Sequence, residues 1–277
     1  MKTVGFIDYF LNEWHADNYP AWIAQQTGGE MAVKYAWAMT DPFDGDRTNA
    51  AWAARNGVEL CATIDEVVEK SDYIVVLSPD NPEFHVALSE KALKSGKPVY
   101  IDKTFANSKE DAELIFSFAK VSETPCYSSS ALYFSDEINS LAKNGIMRID
   151  SFGAGNFYNY SIHQIEQIVK LMGYGAKRVM FVGTESNPAL VIDYGDGRIA
   201  QIIHYTGASF MLNVAYDNGK SEHVKISSDF FGNCIGAMVE FFKTGIIPVP
   251  HEQTVEVAAI REAGLKSEKL PFTWIEV

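Results

Sequence analysis

Short apolar runs alternate with amphipathic segments through the first half of the chain. Apolar runs of strand type occupy residues 4–7, 33–39, 74–77 and 99–101. Segments with apolar positions at helical spacing lie between and after them, as at 85–93 and 108–119. A last apolar run near 125–129 ends the series. Such alternation is typical of a parallel sheet wound on both faces by helices.

The second half of the chain has a different rhythm. A helix is expected at 130–143, followed by a strand-like segment at 146–158. A series of strands then follows, at 179–183, 189–194, 199–204, 209–216 and 222–226. Asp196-Gly197 and Asn218-Gly219 are tight-turn signals between them. Helices at 230–244 and 251–267 and a strand at 272–277 end the chain.

These patterns predict an α/β protein of two domains. Residues 1–128 are expected to form a Rossmann-type, doubly wound parallel sheet. Residues 129–277 are expected to form an α+β domain with a large, mostly antiparallel open sheet. The last helix and strand can alternatively pack back on the first domain.

Composition narrows the class of protein. The chain has 277 residues, 47% of them hydrophobic and 21% charged, which is ordinary for a globular protein. A net charge of -13 argues against nucleic-acid and anionic-membrane surfaces as partners. The cysteines, Cys61, Cys126 and Cys234, are far apart, so neither a disulfide framework nor a thiolate zinc site is expected. No signal peptide or membrane-spanning run is recognised, which favours a cytoplasmic location.

Asp102 and Lys103 directly follow the strand predicted at 99–101. Ligands of open parallel sheets bind outside the carboxyl ends of the strands. An isolated Asp-Lys pair is more often a surface salt pair, but its position here makes it a candidate for chemistry.

The turn after the first strand decides the question of a cofactor. A dinucleotide fingerprint needs glycines there, so that the backbone can approach the diphosphate. Residues 8–15 contain no glycine, and Asp8 and Glu13 would repel a diphosphate. Two explanations stay open: a rebuilt loop that still accepts a dinucleotide, or a fold that has lost the cofactor.

Two further polar positions have competing interpretations. Asp41 follows the second strand, where an acid can bind the adenosine ribose and disfavour a 2'-phosphate. It is equally well explained as a turn residue before Pro42. His15 and Asp17 form a His-x-Asp pair, but without a third ligand a polar helix start is the better interpretation, and no metal site is predicted.

Two groups of motifs give the chain a family resemblance. In the first, Ser78-Pro79 ends a strand, His85 opens the next helix, and Gly96-Lys97 leads into a strand that ends in Asp102-Lys103-Thr104. In the second, the segment from Asn159 to His163 opens a helix that ends at Gly173. Together they resemble the glucose-fructose oxidoreductase / inositol dehydrogenase (Gfo/Idh/MocA) family.

The resemblance has departures. The glycine-rich loop is missing, the family's Glu-Lys-Pro is replaced by Asp102-Lys103-Thr104, and its Asp-x-Gly-x-His appears with Asn159 and Ser161 in place of Asp and Gly. These changes do not alter the predicted fold, but they weaken the prediction of the family's activity.

The resemblance implies roles for individual residues. Lys103 would polarise the reacting hydroxyl, and His163 would act as its general acid/base. Asn159 would hydrogen-bond nearby, although it cannot stabilise an imidazolium by charge. The cofactor-binding residues would be Asp8, Asp41, Ser78, Pro79 and Asp102.

The leading hypothesis is therefore an NAD(P)-dependent oxidoreductase, with NAD preferred, that acts on a hydroxyl of a sugar, an inositol or a related small molecule. One alternative is a cofactor-free relative that binds a carbohydrate or metabolite. Another is redox-neutral chemistry, such as elimination. The expected partners are a small polyol or sugar and, because sheets of this family pair between subunits, further copies of the chain in a homodimer or homotetramer.

Overall fold

The computed structural model describes residues 1–42 and 45–277. The chain divides into two compact units. The first comprises residues 1–106, 110–129 and 232–250, and the second comprises residues 107–109, 130–231 and 251–277. The domain boundary expected at 128/129 stays a prediction about independent folding.

The first unit is built on a parallel sheet of six strands. The strands are β1 (Lys2–Asp8), β2 (Met31–Ala38), β3 (Glu59–Leu60), β4 (Tyr73–Val76), β5 (Val99–Ile101) and β6 (Cys126–Ser128). The helices between them are α1 (Trp14–Gln26), α2 (Asn49–Asn56), α3 (Ile64–Lys70), α4 (His85–Leu93) and α5 (Lys109–Val121). The strand order is β3-β2-β1-β4-β5-β6, which is the Rossmann order. The Rossmann-type sheet predicted from the sequence is confirmed.

The second unit contains a sheet of seven strands. Its strands are β7 (Ile146–Gly153), β8 (Arg178–Phe181), β9 (Ala189–Asp193), β10 (Ile199–His204), β11 (Met211–Tyr216), β12 (Ser221–Lys225) and β13 (Trp274–Glu276). The remaining helices of the chain are α6 (Asp136–Ser140), α7 (Phe157–Met172), α8 (Phe230–Thr244) and α9 (His251–Glu268). The strand order is β12-β11-β7-β10-β9-β8-β13, and the pairs are antiparallel except for β7 with β10. The mostly antiparallel sheet is also confirmed.

Two expected elements differ in the second unit. The helix expected at 130–143 is replaced by a 3-10 turn at Ala131–Phe134 and the short α6. The strand expected to reach residue 158 ends at Gly153, because the side chain of Asn156 accepts a hydrogen bond from Asn159 N and caps α7. Helix α7 then provides the crossover that allows β10 to run parallel to β7.

Helix α8 is an example of aromatic packing within the first unit. Phe242 stacks on Tyr73 with ring centroids 4.8 Å apart, and Phe241 meets Tyr127 edge-on at 4.9 Å. Phe241 is buried and Tyr127 is fully so. Residues 232–250 therefore group with the parallel sheet, although the sequence pattern placed them after the second sheet.

Gly5 sets the distance between β1 and α3. A Cβ atom at this position would lie 2.3 Å from Ser71 Oγ and 2.5 Å from Val67 Cγ1. We expect Gly5→Ala to lower the free energy of unfolding by about 1–3 kcal/mol, the usual cost of overpacking a core. Urea denaturation measures this change, and unchanged stability would contradict it. Gly236→Ala in α8, where the new Cβ meets nothing closer than 4.0 Å, is the matched control and should be neutral or stabilising.

No helix in the described part of the chain is both long and apolar enough to cross a lipid bilayer.

Candidate functional site

The carboxyl ends of β1, β4 and β5 lie side by side in the first sheet. Asp8 is the last residue of β1, Ser78 and Pro79 follow β4, and Asp102 and Lys103 follow β5. The strand order reverses between β1 and β4, which is where ligands of this fold bind. The structure therefore brings these five predicted residues to one edge.

The ammonium group of Lys103 is held at this edge. Its Nζ donates a hydrogen bond of 3.3 Å to Pro79 O and lies 3.9 Å from Asp80 Oδ1. The Lys103 side chain is only 11% exposed, whereas that of Asp80 is 66% exposed. An ammonium group shielded to this degree is suited to donating a hydrogen bond to a bound hydroxyl.

His85 ties together the two loops that carry Lys103 and Pro79. Its buried ring lies with Nε2 2.6 Å from Leu77 O and Nδ1 2.9 Å from Phe105 O. Burial lowers the pKa of His85 and outweighs the opposing effect of the carbonyl contacts. The sequence indicated only that His85 opens a helix. The structure shows that it holds the loop after β4 and the loop after β5 together.

Ser78, in the loop after β4, has a strained backbone. Its φ is 82°, in the left-handed region that a non-glycine residue seldom adopts. Its Oγ donates a hydrogen bond of 3.0 Å to Asn81 O, which holds the loop after β4 in this conformation.

Glu13 occupies the N-terminus of α1. Its Oε2 accepts a hydrogen bond of 2.8 Å from His15 N, and its Oε1 accepts one from Ala16 N. The N-terminus of this helix is the place where a Rossmann fold binds a diphosphate, since its backbone N–H groups and dipole favour an anion. In this chain the carboxylate of Glu13 is the anion at the N-terminus of α1.

Asp8 lies beside this cap and is almost fully buried, with 1% exposed. Its Oδ1 accepts a hydrogen bond of 2.6 Å from Tyr9 N, whereas Oδ2 has no hydrogen-bond partner among the described residues. Burial and the nearby carboxylates of Glu13 and Asp102 raise the pKa of Asp8 well above its ordinary value.

His15 and Asp102 form a pair that the sequence analysis missed. His15 Nδ1 lies 3.2 Å from Glu13 Oε2 and 3.6 Å from Asp102 Oδ2. Tyr100 OH donates to the other Asp102 oxygen over 3.1 Å. Burial lowers the pKa of His15, but Asp102 and Glu13 outweigh it and the pKa is raised. An imidazole oriented by a carboxylate through one nitrogen can exchange a proton through the other.

Side chains also narrow the crevice between the loops after β1 and β4. The rings of Tyr9 and Phe84 stack with centroids 4.4 Å apart. The backbone of the turn after β1 is held by Asn49, whose Oδ1 accepts a hydrogen bond of 2.8 Å from Leu11 N. This stacked and pinned turn, with Glu13 on the helix N-terminus and buried Asp8 beside it, does not fit the diphosphate of a dinucleotide in the usual Rossmann position.

Asp41 lies near the carboxyl end of β2, as expected for a residue that binds a ribose. Its Oδ1 accepts a hydrogen bond of 2.7 Å from Asn49 N. Asn49 Nδ2 in turn donates to Thr40 O over 2.7 Å. Asp41 thus accepts a hydrogen bond from the first residue of α2, in addition to any role in ligand binding.

In the second unit, His163 lies on α7, one turn after Asn159 and on the same face. His163 Nδ1 lies 2.6 Å from Ser130 Oγ. The rings of Tyr160 and Phe210 lie 5.5 and 5.9 Å from the imidazole, both close to edge-on. These contacts fix the orientation of the His163 ring.

Glu166, three residues after His163, completes this local arrangement. It is buried, and its Oε2 accepts a hydrogen bond of 2.6 Å from Ser130 N. Ser130 is therefore held by Glu166 through its backbone and meets His163 through its hydroxyl.

The His-x-Asp pair considered from the sequence does not come together. Asp17 pairs with Arg55 at 2.6 Å, while His15 turns to Glu13 and Asp102. In residues 1–42 and 45–277, no cluster of three or more His, Cys, Asp or Glu side chains is placed to hold a metal ion.

A family model matches part of the first unit. Residues 24–128 match the Gfo/Idh/MocA model, described as an oxidoreductase family with an NAD-binding Rossmann fold. The match confirms the resemblance stated from the sequence. No curated protein matches the chain.

Solved structures share the fold over nearly the whole chain. GenD2 from gentamicin A biosynthesis, in complex with NAD, has a TM-score of 0.77 at 11% identity, covering 100% of this chain and 96% of GenD2. A probable dehydrogenase from Thermotoga maritima has a TM-score of 0.78 at 13% identity, covering 99% and 98% of the two chains. The myo-inositol 2-dehydrogenase of Lactobacillus plantarum has a TM-score of 0.76 at 15% identity, covering 100% and 99%. At these identities the likeness shows the fold.

Proposed function

We propose, from the match of residues 24–128 to the Gfo/Idh/MocA oxidoreductase model, that the chain is an enzyme that activates a hydroxyl of a sugar, an inositol or a related small polyol. The observation that carries the proposal is that Lys103 and the His15–Asp102 pair lie at the same carboxyl edge of the parallel sheet, where the charge of Lys103 acts on the pKa of His15. The inositol dehydrogenase among the solved structures supports the same substrate class.

In the proposed mechanism Lys103 Nζ donates a hydrogen bond to the substrate oxygen and stabilises the negative charge that develops as the proton leaves. A histidine accepts that proton. By resemblance the histidine is His163, with Asn159 hydrogen-bonding the substrate. His15 is a second candidate base, because Glu13 and Asp102 orient it through Nδ1.

The redox partner of the proposed oxidoreductase is a nicotinamide dinucleotide. The family binds NAD, and Asp41 favours NAD over NADP because its carboxylate would repel a 2'-phosphate. The turn at residues 8–13 does not fit a diphosphate, so we route no step through a dinucleotide. A second candidate function, a cofactor-free protein that binds a carbohydrate or does redox-neutral chemistry, is favoured by the Glu13 cap on α1.

The test is a panel of sugars and inositols incubated with the protein, with and without NAD or NADP. Products are followed by NMR and by nicotinamide absorbance, and NADH binding by energy transfer from tryptophan. Conversion that needs a nicotinamide supports the oxidoreductase, and conversion or binding of a sugar without one supports the second candidate. Failure to bind or convert any of these compounds would overturn both. A cytoplasmic location and a homo-oligomeric state remain predictions.

A pH profile tests His15 as a base. The charges of Glu13 and Asp102 hold its pKa above the usual value, so the neutral form that accepts a proton is lost as the pH falls through that raised pKa. We expect kcat/KM to fall on the acid side through this range, and Asp102→Asn to move the fall to lower pH. An acid limb that does not move in Asp102→Asn, or that persists in His15→Gln, would exclude His15.

A further inference from the structure

A shallow cavity opens at the carboxyl end of β1. Residues 8–10, Glu13 and residues 78–81 line it, and its volume of about 10 Å³ has room for one water-sized group such as an ammonium head. It lies in the first unit, where the strand order reverses between β1 and β4. In a Rossmann fold this is the neighbourhood of the dinucleotide.

The chemistry of the lining is that of a site for a cation. Asp8 is buried, it lines the cavity, and its Oδ2 has no hydrogen-bond partner in the described chain. A buried polar atom without a partner costs free energy, which a ligand that pairs with it recovers. Asp8 is thus an acceptor placed in the cavity wall for a group that the chain itself does not supply.

The local charge balance points the same way. Asp8, Glu13, Asp80 and Asp102 bring four carboxyl groups to this edge, against the two basic side chains of His15 and Lys103. The two basic groups are already engaged, His15 with Glu13 and Asp102, and Lys103 with Pro79 O and Asp80. A further positive charge is favoured in such surroundings, and a diphosphate is disfavoured.

Two aromatic rings add to this preference. Tyr9 and Phe10 both line the cavity, with ring centroids 5.7 Å apart and tilted against each other by 58°. Aromatic faces attract an organic ammonium through the ring quadrupole. A hydrated inorganic ion gains less from such a wall than an alkylammonium does.

We propose that this cavity binds the primary ammonium group of a small hydroxylated amine, in the place where related folds bind the diphosphate of a cofactor. Asp8 Oδ2 is the principal acceptor, Glu13 and Asp80 supply the negative field, and Tyr9 and Phe10 form the apolar wall. The inference deepens the proposed function by naming an amino-polyol as the substrate class, although the binding site stands without the catalytic step.

Binding of a cation is linked to the ionisation of Asp8. Burial, Glu13 and Asp102 raise the pKa of Asp8, while the nearby positive groups are His15 and Lys103. An ammonium group bound to Oδ2 favours the carboxylate, so binding releases a proton from Asp8 wherever that group is protonated in the free protein. Affinity for the amine should accordingly rise with pH through the titration of Asp8.

The experiment compares glucamine with sorbitol, which has a hydroxyl in place of the ammonium group. Isothermal titration calorimetry at constant ionic strength is expected to show at least tenfold tighter binding of glucamine. Repeating it in two buffers of different ionisation enthalpy measures the released proton. Asp8→Asn, which keeps the shape and removes the charge, is expected to abolish both the preference and the proton release.

Asp65→Asn on the surface of α3 is the matched control and should bind as the parent does. Glu13→Gln provides a second variant should Asp8→Asn fail to fold, and it is expected to weaken glucamine binding severalfold. Equal affinity for the two ligands, no measurable binding of glucamine, or displacement of glucamine by NADH would each overturn the proposal. A polyol oxidised without any preference for amines would overturn this inference alone and leave the proposed function standing.

Discussion

Lys103→Met is expected to lower turnover of the polyol substrate by roughly 100-fold or more, the usual scale for loss of a proton-transfer or polarising group. Methionine keeps the length and apolar stem of the side chain and removes the ammonium that meets Pro79 O and Asp80. Because the stem stays packed, the effect should appear in kcat far more than in the free energy of unfolding. Steady-state kinetics with thermal unfolding as a check measures both.

Lys91→Met is the control for loss of a lysine in the same unit. Lys91 lies on α4, and its ammonium pairs with the exposed Asp65. Exposed pairs of this kind contribute little to stability, so this variant should keep the parent's activity and melting temperature. A Lys103→Met enzyme within a factor of about three of the parent would remove Lys103 from the mechanism.

His163→Ala is expected to reduce kcat/KM by a factor on the order of 100 or more. The imidazole is oriented by Ser130 Oγ at 2.6 Å and by the edges of two aromatic rings, so its removal deletes a positioned acid/base group. Activity measured across the pH range should also lose one limb of its profile. Retention of that limb would assign it to another residue, with His15 the first to examine.

Ser130→Ala separates the role of the imidazole from that of its orientation. It removes the hydroxyl that meets Nδ1 and leaves the backbone N–H that donates to Glu166. We expect a smaller loss than in His163→Ala, together with a shifted pH limb. If Lys103 and His163 serve the same step, the losses in the double variant will be far from additive.

The architecture was accessible from the sequence because the periodicities are clear. Helix α4 begins at His85 and α8 ends at Thr244, where the pattern indicated. The predicted elements were wrong where a helix-capping side chain outweighs a composition that is typical of a strand. Residues 154–158 look strand-like, but the side chain of Asn156 starts α7 there.

The candidate site was accessible in part. Asp102 and Lys103 follow from their position after a buried strand, and the sequence already indicated that Asp8 and Glu13 disfavour a diphosphate. Long-range partners were not accessible. Nothing in the spacing of His15 and Asp102 shows that they face each other, and nothing in the sequence pairs Tyr9 with Phe84 or Leu11 N with Asn49.

The Glu13 cap has an evolutionary consequence. Glu13→Gly alone would leave two N–H groups of α1 without their acceptor and His15 without one carboxylate, at a cost of about 1 kcal/mol for a lost cap. It would still leave Asp8 and the Tyr9–Phe84 stack in the crevice. A return to a glycine-rich loop therefore passes through intermediates that lose stability before they gain a ligand. We therefore expect proteins descended from this chain to keep the turn at residues 8–13 and to vary in the residues around it.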